Sequence, residues 1–220
     1  MSKTASADAE IIADALSLEQ GRLLFAQECL FMAGAAKLED LPPPTGPEIA
    51  FAGRSNVGKS SLVNALAGRR ALARVSHTPG RTRQINLFDL GGRLVLADLP
   101  GYGYARAGKS EIAAWTGMVE GYLKGRPSLM RVLLLIDARH GPKPHDLAAM
   151  AMMDEAAVVY QVVLTKSDKL KPDELDAQTA EIATNLKKRK AAHPALIATS
   201  SLTALGIAEL RAELVRLARP

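Results

Sequence analysis

The sequence has little cysteine and no long hydrophobic run. Its single cysteine, Cys29, has no partner for an internal disulfide, so we expect a reducing compartment. None of its apolar stretches approaches the ~18 residues of a membrane span, and the N-terminus lacks the basic and apolar layout of a signal peptide. The sequence therefore predicts a cytoplasmic protein that does not span a membrane.

What the chain does contain suits a globular protein with a full core. It has 220 residues, of which 48% are hydrophobic and 23% charged, enough for one large domain. The net charge is +5. A net positive charge weakly indicates a polyanionic partner. The composition fits an ordinary soluble protein with surplus lysine and arginine equally well. No K-homology or RNP-type RNA-binding motif is present.

The most informative stretch is residues 53–60, which read G-R-S-N-V-G-K-S and fit the P-loop pattern. The apolar residues 48–52 before it predict a strand, and residues 61–67 predict the start of a helix. Glycines let backbone N–H groups surround phosphate oxygens, and the helix N-terminus adds partial positive charge. We expect Lys59 to reach the β- and γ-phosphates and the Ser60 hydroxyl to bind Mg²⁺. The candidate phosphate-binding residues are Gly53, Arg54, Ser55, Asn56, Val57, Gly58, Lys59, Ser60 and Ser61.

A second candidate segment, D-L-P-G at residues 98–101, closes a predicted strand. Asp98 is placed to bind Mg²⁺ through water. Gly101 offers an N–H to a γ-phosphate and has no side chain to resist movement when that phosphate leaves. An ordinary strand-ending turn is the alternative. The candidate residues are Asp98, Leu99, Pro100 and Gly101.

The residue after this segment is Tyr102, where Ras-like enzymes have a glutamine that orients the attacking water. A tyrosine cannot act as donor and acceptor in the same geometry. We therefore expect intrinsic hydrolysis of a bound nucleotide to be slow, or to be helped by another group or a partner.

The segment T-K-S-D at residues 165–168 indicates the base. The carboxylate of Asp168 can accept both N1–H and N2–H₂ of guanine, a pair of donors that adenine lacks. The aliphatic stem of Lys166 can lie along the purine ring. After the last predicted strand, T-S-S can place amides near guanine O6. A solvated loop of mixed charge is the alternative. These candidates are Thr165, Lys166, Ser167, Asp168, Thr199, Ser200 and Ser201.

Residues 69–83 have neither helical nor strand periodicity and predict a long functional loop. A threonine there can add its hydroxyl to Mg²⁺ when a γ-phosphate is present, and the spacing leaves both Thr78 and Thr82 open. The loop is also basic, as is the run 187–190, and basic side chains neutralise nucleic-acid phosphates. For that run, helix-dipole complementarity is the favoured alternative. The basic residues of the loop are Arg69, Arg70, Arg74, Arg81 and Arg83.

Strands alternate with helices from residue 48 onwards, which predicts an α/β fold with a mostly parallel six-stranded sheet, one antiparallel hairpin strand and helices on both faces. Residues 1–47 form an N-terminal extension with a Pro-rich linker, and residues 48–220 form the nucleotide-binding domain. Within the extension we expect a short helix or two over residues 10–40. Residues 22–26 are compatible with an edge segment instead.

The ordered set of segments resembles the EngB-type (YihA/YsxC) ribosome-assembly GTPases of the Era-like group. The resemblance runs from about Glu48 to the C-terminus. It is carried by G-R-S-N-V-G-K-S-S-L from Gly53, T-P-G-R-T from Thr78, D-L-P-G-Y-G-Y from Asp98 and T-K-S-D from Thr165. It implies the P-loop GTPase fold, binding of GTP and GDP with Mg²⁺, and work on the large ribosomal subunit or its rRNA. Nothing is implied for residues before Pro42.

The resemblance also selects Thr82 as the loop threonine. It places five loop residues over the nucleotide: Gly80, Arg81, Thr82, Arg83 and Gln84. The implied catalytic residues are then Lys59, Thr82 and Gly101, and the implied metal ligands are Ser60, Thr82 and Asp98.

Two questions stay open on the sequence. Asn56 lies where some similar GTPases hold a potassium ion against the phosphates, but it can equally stabilise the P-loop turn. The alternative function is a GTP- and GDP-dependent binding module with negligible turnover, acting in cell division or septation. In either case we expect a monomer with no membrane partner.

Overall fold

The computed structural model describes residues 2–69, 84–102 and 109–220. The helices are α1 (Ser2–Phe25), α2 (Lys59–Leu66), α3 (Lys109–Gly125), α4 (Pro144–Glu155), α5 (Pro172–Leu186) and α6 (Ile207–Val215). The strands are β1 (Cys29–Ala35), β2 (Glu48–Gly53), β3 (Ile85–Leu90), β4 (Leu94–Asp98), β5 (Leu129–Asp137), β6 (Tyr160–Thr165) and β7 (Ile197–Ala198).

The strands form one sheet in the order β1-β3-β4-β2-β5-β6-β7. Strand β3 runs antiparallel to both its neighbours, and all other pairings are parallel. The β3–β4 hairpin turns at Gly91 and Gly92, whose φ angles of 58° and 69° favour glycine. The predicted α/β fold with one antiparallel hairpin strand is confirmed.

The sheet has seven strands rather than the predicted six, because the N-terminal extension supplies β1. Residues 29–35 pair with β3, and a bulge between Phe31 and Ala33 shifts the register. This bulge breaks the alternation by which a strand is recognised in a sequence. Residues 22–25 are the last turn of α1 instead of an edge segment, and both Leu24 and Phe25 are buried.

Helices cover both faces of the sheet. Alternation along β2 sends Ile49 and Phe51 to the face covered by α1, α2 and α6, and Ala50 and Ala52 to the face covered by α3, α4 and α5. The extension thus contributes a strand and a helix to the same core as the chain that follows residue 47. No helix among the described residues is both long and apolar enough to span a bilayer.

A buried ion pair ties the Pro-rich linker to the edge of the sheet where the parallel strands begin. Glu48 is fully buried and accepts hydrogen bonds from the Tyr122 hydroxyl at 2.7 Å and the Arg126 guanidinium at 2.7 Å. The same guanidinium donates to the carbonyl of Pro42 at 2.7 Å. Helix α3, strand β2 and the linker therefore meet at one carboxylate.

Helices α1 and α6, the first and last of the chain, cross in close contact at Gly21. A Cβ at this position would lie 2.7 Å from the backbone nitrogen of Ala212 and 2.7 Å from the carbonyl carbon of Arg211. Backbone atoms cannot rotate away as the end of a side chain can. Glycine at this position therefore sets the distance between the two helices.

We expect Gly21→Ala to lower the free energy of unfolding by about 1–3 kcal/mol, because the added methyl forces α1 away from α6. Gly117→Ala in α3 is the matched control: a Cβ there meets nothing within 4 Å, and alanine raises helix propensity by up to about 1 kcal/mol. Urea unfolding of both variants measures the difference. A Gly21→Ala protein as stable as Gly117→Ala would contradict the close crossing.

Candidate nucleotide-binding site

The candidate segments meet at the edge of the sheet where the parallel strands end. Gly53 ends β2, Asp98 ends β4 and Thr165 ends β6, while Thr199 directly follows β7. Open α/β sheets bind ligands at this edge. Four of the predicted segments, namely the P-loop, D-L-P-G, T-K-S-D and T-S-S, therefore surround one region.

The P-loop turns through two residues with left-handed backbone angles. Asn56 has φ 64° and Gly58 has φ 106°. Asparagine is among the residues that adopt this region most readily, and Gly58 immediately precedes α2. Val57 is buried, while Ser60 and Ser61 lie half-buried in the first turn of α2. The loop thus delivers Lys59 and Ser60 at a helix N-terminus, as predicted.

Two side chains of T-K-S-D hold carbonyl groups of the P-loop. The Thr165 hydroxyl donates to the carbonyl of Val57 at 2.6 Å, and the Lys166 ammonium donates to the carbonyl of Asn56 at 2.7 Å. In a trans peptide the C=O and N–H point in opposite directions, so the amide of Gly58 is turned away from Thr165. T-K-S-D therefore orients the loop, a role that the sequence analysis did not predict for it.

Asp137, at the end of β5, is a site residue that the sequence analysis missed. Its carboxylate accepts two hydrogen bonds from the Arg139 guanidinium, at 2.9 and 2.7 Å, one from the Arg139 N–H at 3.1 Å and one from Lys166 at 3.0 Å. Burial alone would raise the pKa of Asp137, but the hydrogen bonds from Arg139 and Lys166 hold this pKa well below its usual value. The available signal was its position: like Asp98, it is an aspartate that ends a buried strand.

Lys59 forms an ion pair with Asp98, and both side chains are nearly buried, at 10% and 6% exposed. Ser60 follows Lys59 in α2. A carboxylate and a hydroxyl are the hard oxygen donors that suit Mg²⁺. The described part of the chain contains no group of three or more His, Cys, Asp and Glu side chains that could hold an ion alone. This donor set fits an ion that completes its coordination with phosphate oxygens and water.

The D-L-P-G segment lies directly against the P-loop. Leu99 donates its N–H to the carbonyl of Phe51 at 3.1 Å, and a Cβ on Gly101 would lie 3.3 Å from the Ser55 nitrogen. Tyr102 forms an isolated bridge with Arg54. Leu99 and Pro100 are buried. The segment thus continues the β2–β4 pairing past the end of the sheet.

The predicted base site consists of two turns joined by hydrogen bonds. Asp168 accepts a hydrogen bond from the Ser200 hydroxyl at 2.6 Å, which lowers the pKa of this carboxyl, and Lys169 lies 3.3 Å away. Buried Ser200 also accepts the N–H groups of Leu202 and Thr203, each at 3.2 Å.

The two turns of the base site are also joined through their backbones. The N–H of Ser167 donates to the carbonyl of Thr199 at 3.1 Å. Ser201 is exposed beside them. T-K-S-D and T-S-S therefore form one unit, as the predicted shared role in binding a base requires.

The loop residues fall mainly outside the described part of the chain. Thr78, Gly80, Arg81, Thr82 and Arg83 all lie in the range 70–83, which the structure does not describe. Their assignment to the nucleotide stays a prediction.

Gln84 is described and exposed, and its amide donates to Asn86 at 2.9 Å. Asn86 pairs with Asp98 across the hairpin. Gln84 therefore lies at the same edge of the sheet as the P-loop.

The sheet order, the P-loop at the start of α2 and the D-L-P-G and T-K-S-D segments at neighbouring strand ends define a P-loop GTPase. The family model described as 50S ribosome-binding GTPase matches residues 48–198. A probable GTP-binding protein EngB from Granulibacter bethesdensis is 55% identical over 204 residues, covering 93% of this chain and 92% of that protein. One from Gluconobacter oxydans is 56% identical, covering 92% and 89%. The chain belongs to the EngB family of GTP-binding proteins.

Solved structures agree on the fold. The crystal structure of a probable GTP-binding protein engB has 25% identity and a TM-score of 0.58, covering 77% of this chain and 98% of that one. Era in complex with MgGDPNP and nucleotides 1506–1542 of 16S ribosomal RNA has 21% identity and a TM-score of 0.63, covering 79% and 57%. The Era likeness concerns the fold alone.

We expect Thr165→Val to weaken GDP binding about tenfold, because it leaves the Val57 carbonyl without its donor at a cost of about 1–2 kcal/mol. Valine keeps the shape of the side chain. Thr184→Val is the control. It removes a hydroxyl that also donates to a backbone carbonyl, that of Ala180 at 2.9 Å, but near the C-terminal end of α5. Calorimetric titration with GDP gives both affinities. Equal affinities for the two variants would show that Thr165 does not shape the P-loop.

Proposed function

We propose that this protein hydrolyses GTP to GDP and phosphate with Mg²⁺ and acts as a nucleotide-dependent switch in assembly of the large ribosomal subunit. The observation that carries the proposal is the joining of Asp168, the candidate guanine-binding carboxylate, to the P-loop through the neighbouring Thr165 and Lys166. Membership of the EngB family and the ribosome-binding description of the matching family model support it.

In this proposal each site residue has a distinct task. The P-loop amides and Lys59 bind the β- and γ-phosphates, and Gly101 donates its N–H to the γ-phosphate. Ser60, Asp98 and Thr82 hold Mg²⁺, which neutralises charge on the phosphate oxygens. Water attacks the γ-phosphorus as the bond to the β-phosphate oxygen breaks, so GTP and water give GDP and inorganic phosphate.

Hydrolysis without a partner is proposed to be slow. The Tyr102 ring is buried and its hydroxyl donates to Asp146 of α4 at 2.8 Å, so it does not orient water as glutamine does. Either the bound ribosomal particle or a potassium ion held near Asn56 supplies the missing help. The partner surface is proposed to be rRNA phosphates, met by basic side chains.

Basic side chains are available for this contact. Lys187, Lys188 and Lys190 are exposed at the end of α5, whereas Arg189 pairs with Asp154 at 3.2 Å. The loop arginines Arg74, Arg81 and Arg83 complete the proposed basic set. The protein is proposed to act as a cytoplasmic monomer in which residues 1–47 extend a GTP-binding domain of residues 48–220.

A second candidate is a GTP- and GDP-dependent binding module with negligible turnover, acting in cell division or septation. The buried position of Tyr102 favours it, since its hydroxyl is bonded to Asp146 and does not orient water. Phosphate release measured with and without large ribosomal subunits separates the two candidates. Stimulation by the subunits supports the assembly GTPase, and no release in either condition supports the binding module.

We expect Asp168→Asn to weaken GTP binding about 100-fold, since each hydrogen bond to a charged group contributes about 1.5–3 kcal/mol. Xanthosine nucleotides should bind better than to the native protein, because the new amide donates to the xanthine oxygen. Asp173→Asn, in the first turn of α5, is the control. Competition between guanine and xanthine nucleotides measures the preference. An unchanged preference in Asp168→Asn would remove Asp168 from the base site.

We expect the GTP form to sediment with large-subunit particles more tightly than the GDP form, and both to weaken steeply with salt. Basic side chains release counterions when they neutralise RNA phosphates, which gives this salt dependence. By linkage, the particles tighten GTP binding by the same factor. Cosedimentation at two salt concentrations, with GDP or a non-hydrolysable GTP analogue, tests both points. Binding indifferent to nucleotide and salt would contradict the proposed partner.

A further inference from the structure

Two buried tyrosine–carboxylate pairs lie on the same face of the sheet, one where the parallel strands begin and one where they end. The Tyr102 hydroxyl donates to Asp146 at 2.8 Å, and the Tyr122 hydroxyl donates to Glu48 at 2.7 Å. Burial, and then the adjacent carboxylate, raise the pKa of both tyrosines well above the usual value. Both are therefore neutral hydrogen-bond donors at neutral pH. Tyr122 lies in helix α3, whereas Tyr102 is bonded through its backbone to the P-loop.

The backbone of Tyr102 is hydrogen-bonded to the P-loop on both sides. Its N–H donates to the carbonyl of Gly53 at 3.2 Å, and its carbonyl accepts the N–H of Ser55 at 2.9 Å. Gly101, the proposed donor to the γ-phosphate, is the preceding residue. Any displacement of Tyr102 therefore displaces the Gly101 amide relative to the phosphate-binding loop.

The side chain of Tyr102 is held in turn by helix α4, through Asp146. Its ring lies beside an apolar cavity of 20 Å³ lined by residues of the sheet, α3 and α4. Asp146 is 2% exposed, and its second oxygen accepts the N–H of Lys143 at 2.8 Å, at the start of α4. A buried carboxylate is strongly disfavoured without its donors, so Asp146 holds the tyrosine as firmly as the tyrosine holds it.

We propose that Tyr102 is a positioning residue for GTP hydrolysis, which through Asp146 and helix α4 fixes the Gly101 amide against the P-loop. The inference deepens the proposed function and rests on it. The position at which Ras-like enzymes orient water is used in this chain to orient a backbone donor. Helix α4 thereby supports the γ-phosphate site indirectly, because its Asp146 holds Tyr102.

Loss of the Tyr102 hydroxyl should affect kcat more than KM. GTP and GDP are bound mainly through the P-loop and Asp168, whereas Gly101 meets only the γ-phosphate, where charge is redistributed in the transition state. An interaction made chiefly in the transition state lowers kcat when it is lost and leaves KM nearly unchanged. A general loss of stability has no such selectivity.

Tyr102→Phe and Tyr122→Phe form a matched pair. Each substitution removes the tyrosine hydroxyl that donates to a buried carboxylate and keeps the aromatic ring. Each should therefore lower the midpoint temperature of unfolding by a similar amount. We expect Tyr102→Phe to lower kcat about tenfold at unchanged KM, the effect of about 1.4 kcal/mol, and Tyr122→Phe to keep the native kcat. Asp146→Asn should lower kcat as well, and the double variant with Tyr102→Phe should lose no more than the larger single loss. Assays contain large ribosomal subunits and run below both unfolding midpoints.

Hydrogen exchange supplies a readout that needs no turnover. With GDP bound, the amides of Ser55 and Tyr102 should exchange faster in Tyr102→Phe than in the native protein, and at the native rate in Tyr122→Phe. Native kcat and native exchange in Tyr102→Phe overturn the inference. Equal loss of kcat in both variants also overturns it, since stability then explains the effect. If the native protein releases no phosphate, the proposed hydrolysis fails, and exchange alone decides whether Tyr102 fixes this backbone.

Discussion

The hydrogen bonds from Thr165 and Lys166 to the P-loop carbonyls are the interactions on which the nucleotide site depends. A loop that binds phosphate must present its amides inward, which requires its carbonyls to be satisfied elsewhere. The Thr165 hydroxyl donates to the Val57 carbonyl, and the Lys166 ammonium donates to the Asn56 carbonyl. Because both donors belong to the segment that contains Asp168, the proposed phosphate-binding part and the proposed base-selecting part of the site are joined into one unit.

The same principle extends to the other side of the loop. The backbone of Tyr102 pairs with Gly53 and Ser55, so the P-loop lies between two segments that each contact it by hydrogen bonds. Asp137 adds a third connection by holding Lys166. Asp137 thus supports the site without needing to touch the nucleotide, and it was harder to recognise from the sequence than the motif residues.

Much of the fold was accessible from the sequence, for identifiable reasons. Continuous apolar runs such as β5 and the Gly91–Gly92 turn are local signals, and the structure confirms the α/β class and the antiparallel hairpin. Strand β1 was missed because its bulge disrupts the alternation and because its partner residues in β3 lie 50 or more residues away in the chain. The side chains that orient others, Asp137 and Asp146, carry no motif. Their roles arise only from contacts between distant segments.

The crossing of α1 and α6 at Gly21 has a consequence for how the chain acquires its structure during synthesis. The first helix and its buried residues Leu24 and Phe25 need α6, which is translated about 190 residues later. At typical translation rates that interval is about 10–40 s. Throughout it these apolar side chains are without the α6 residues that complete their cluster, so a nascent chain of this protein depends on whatever shields them until α6 emerges.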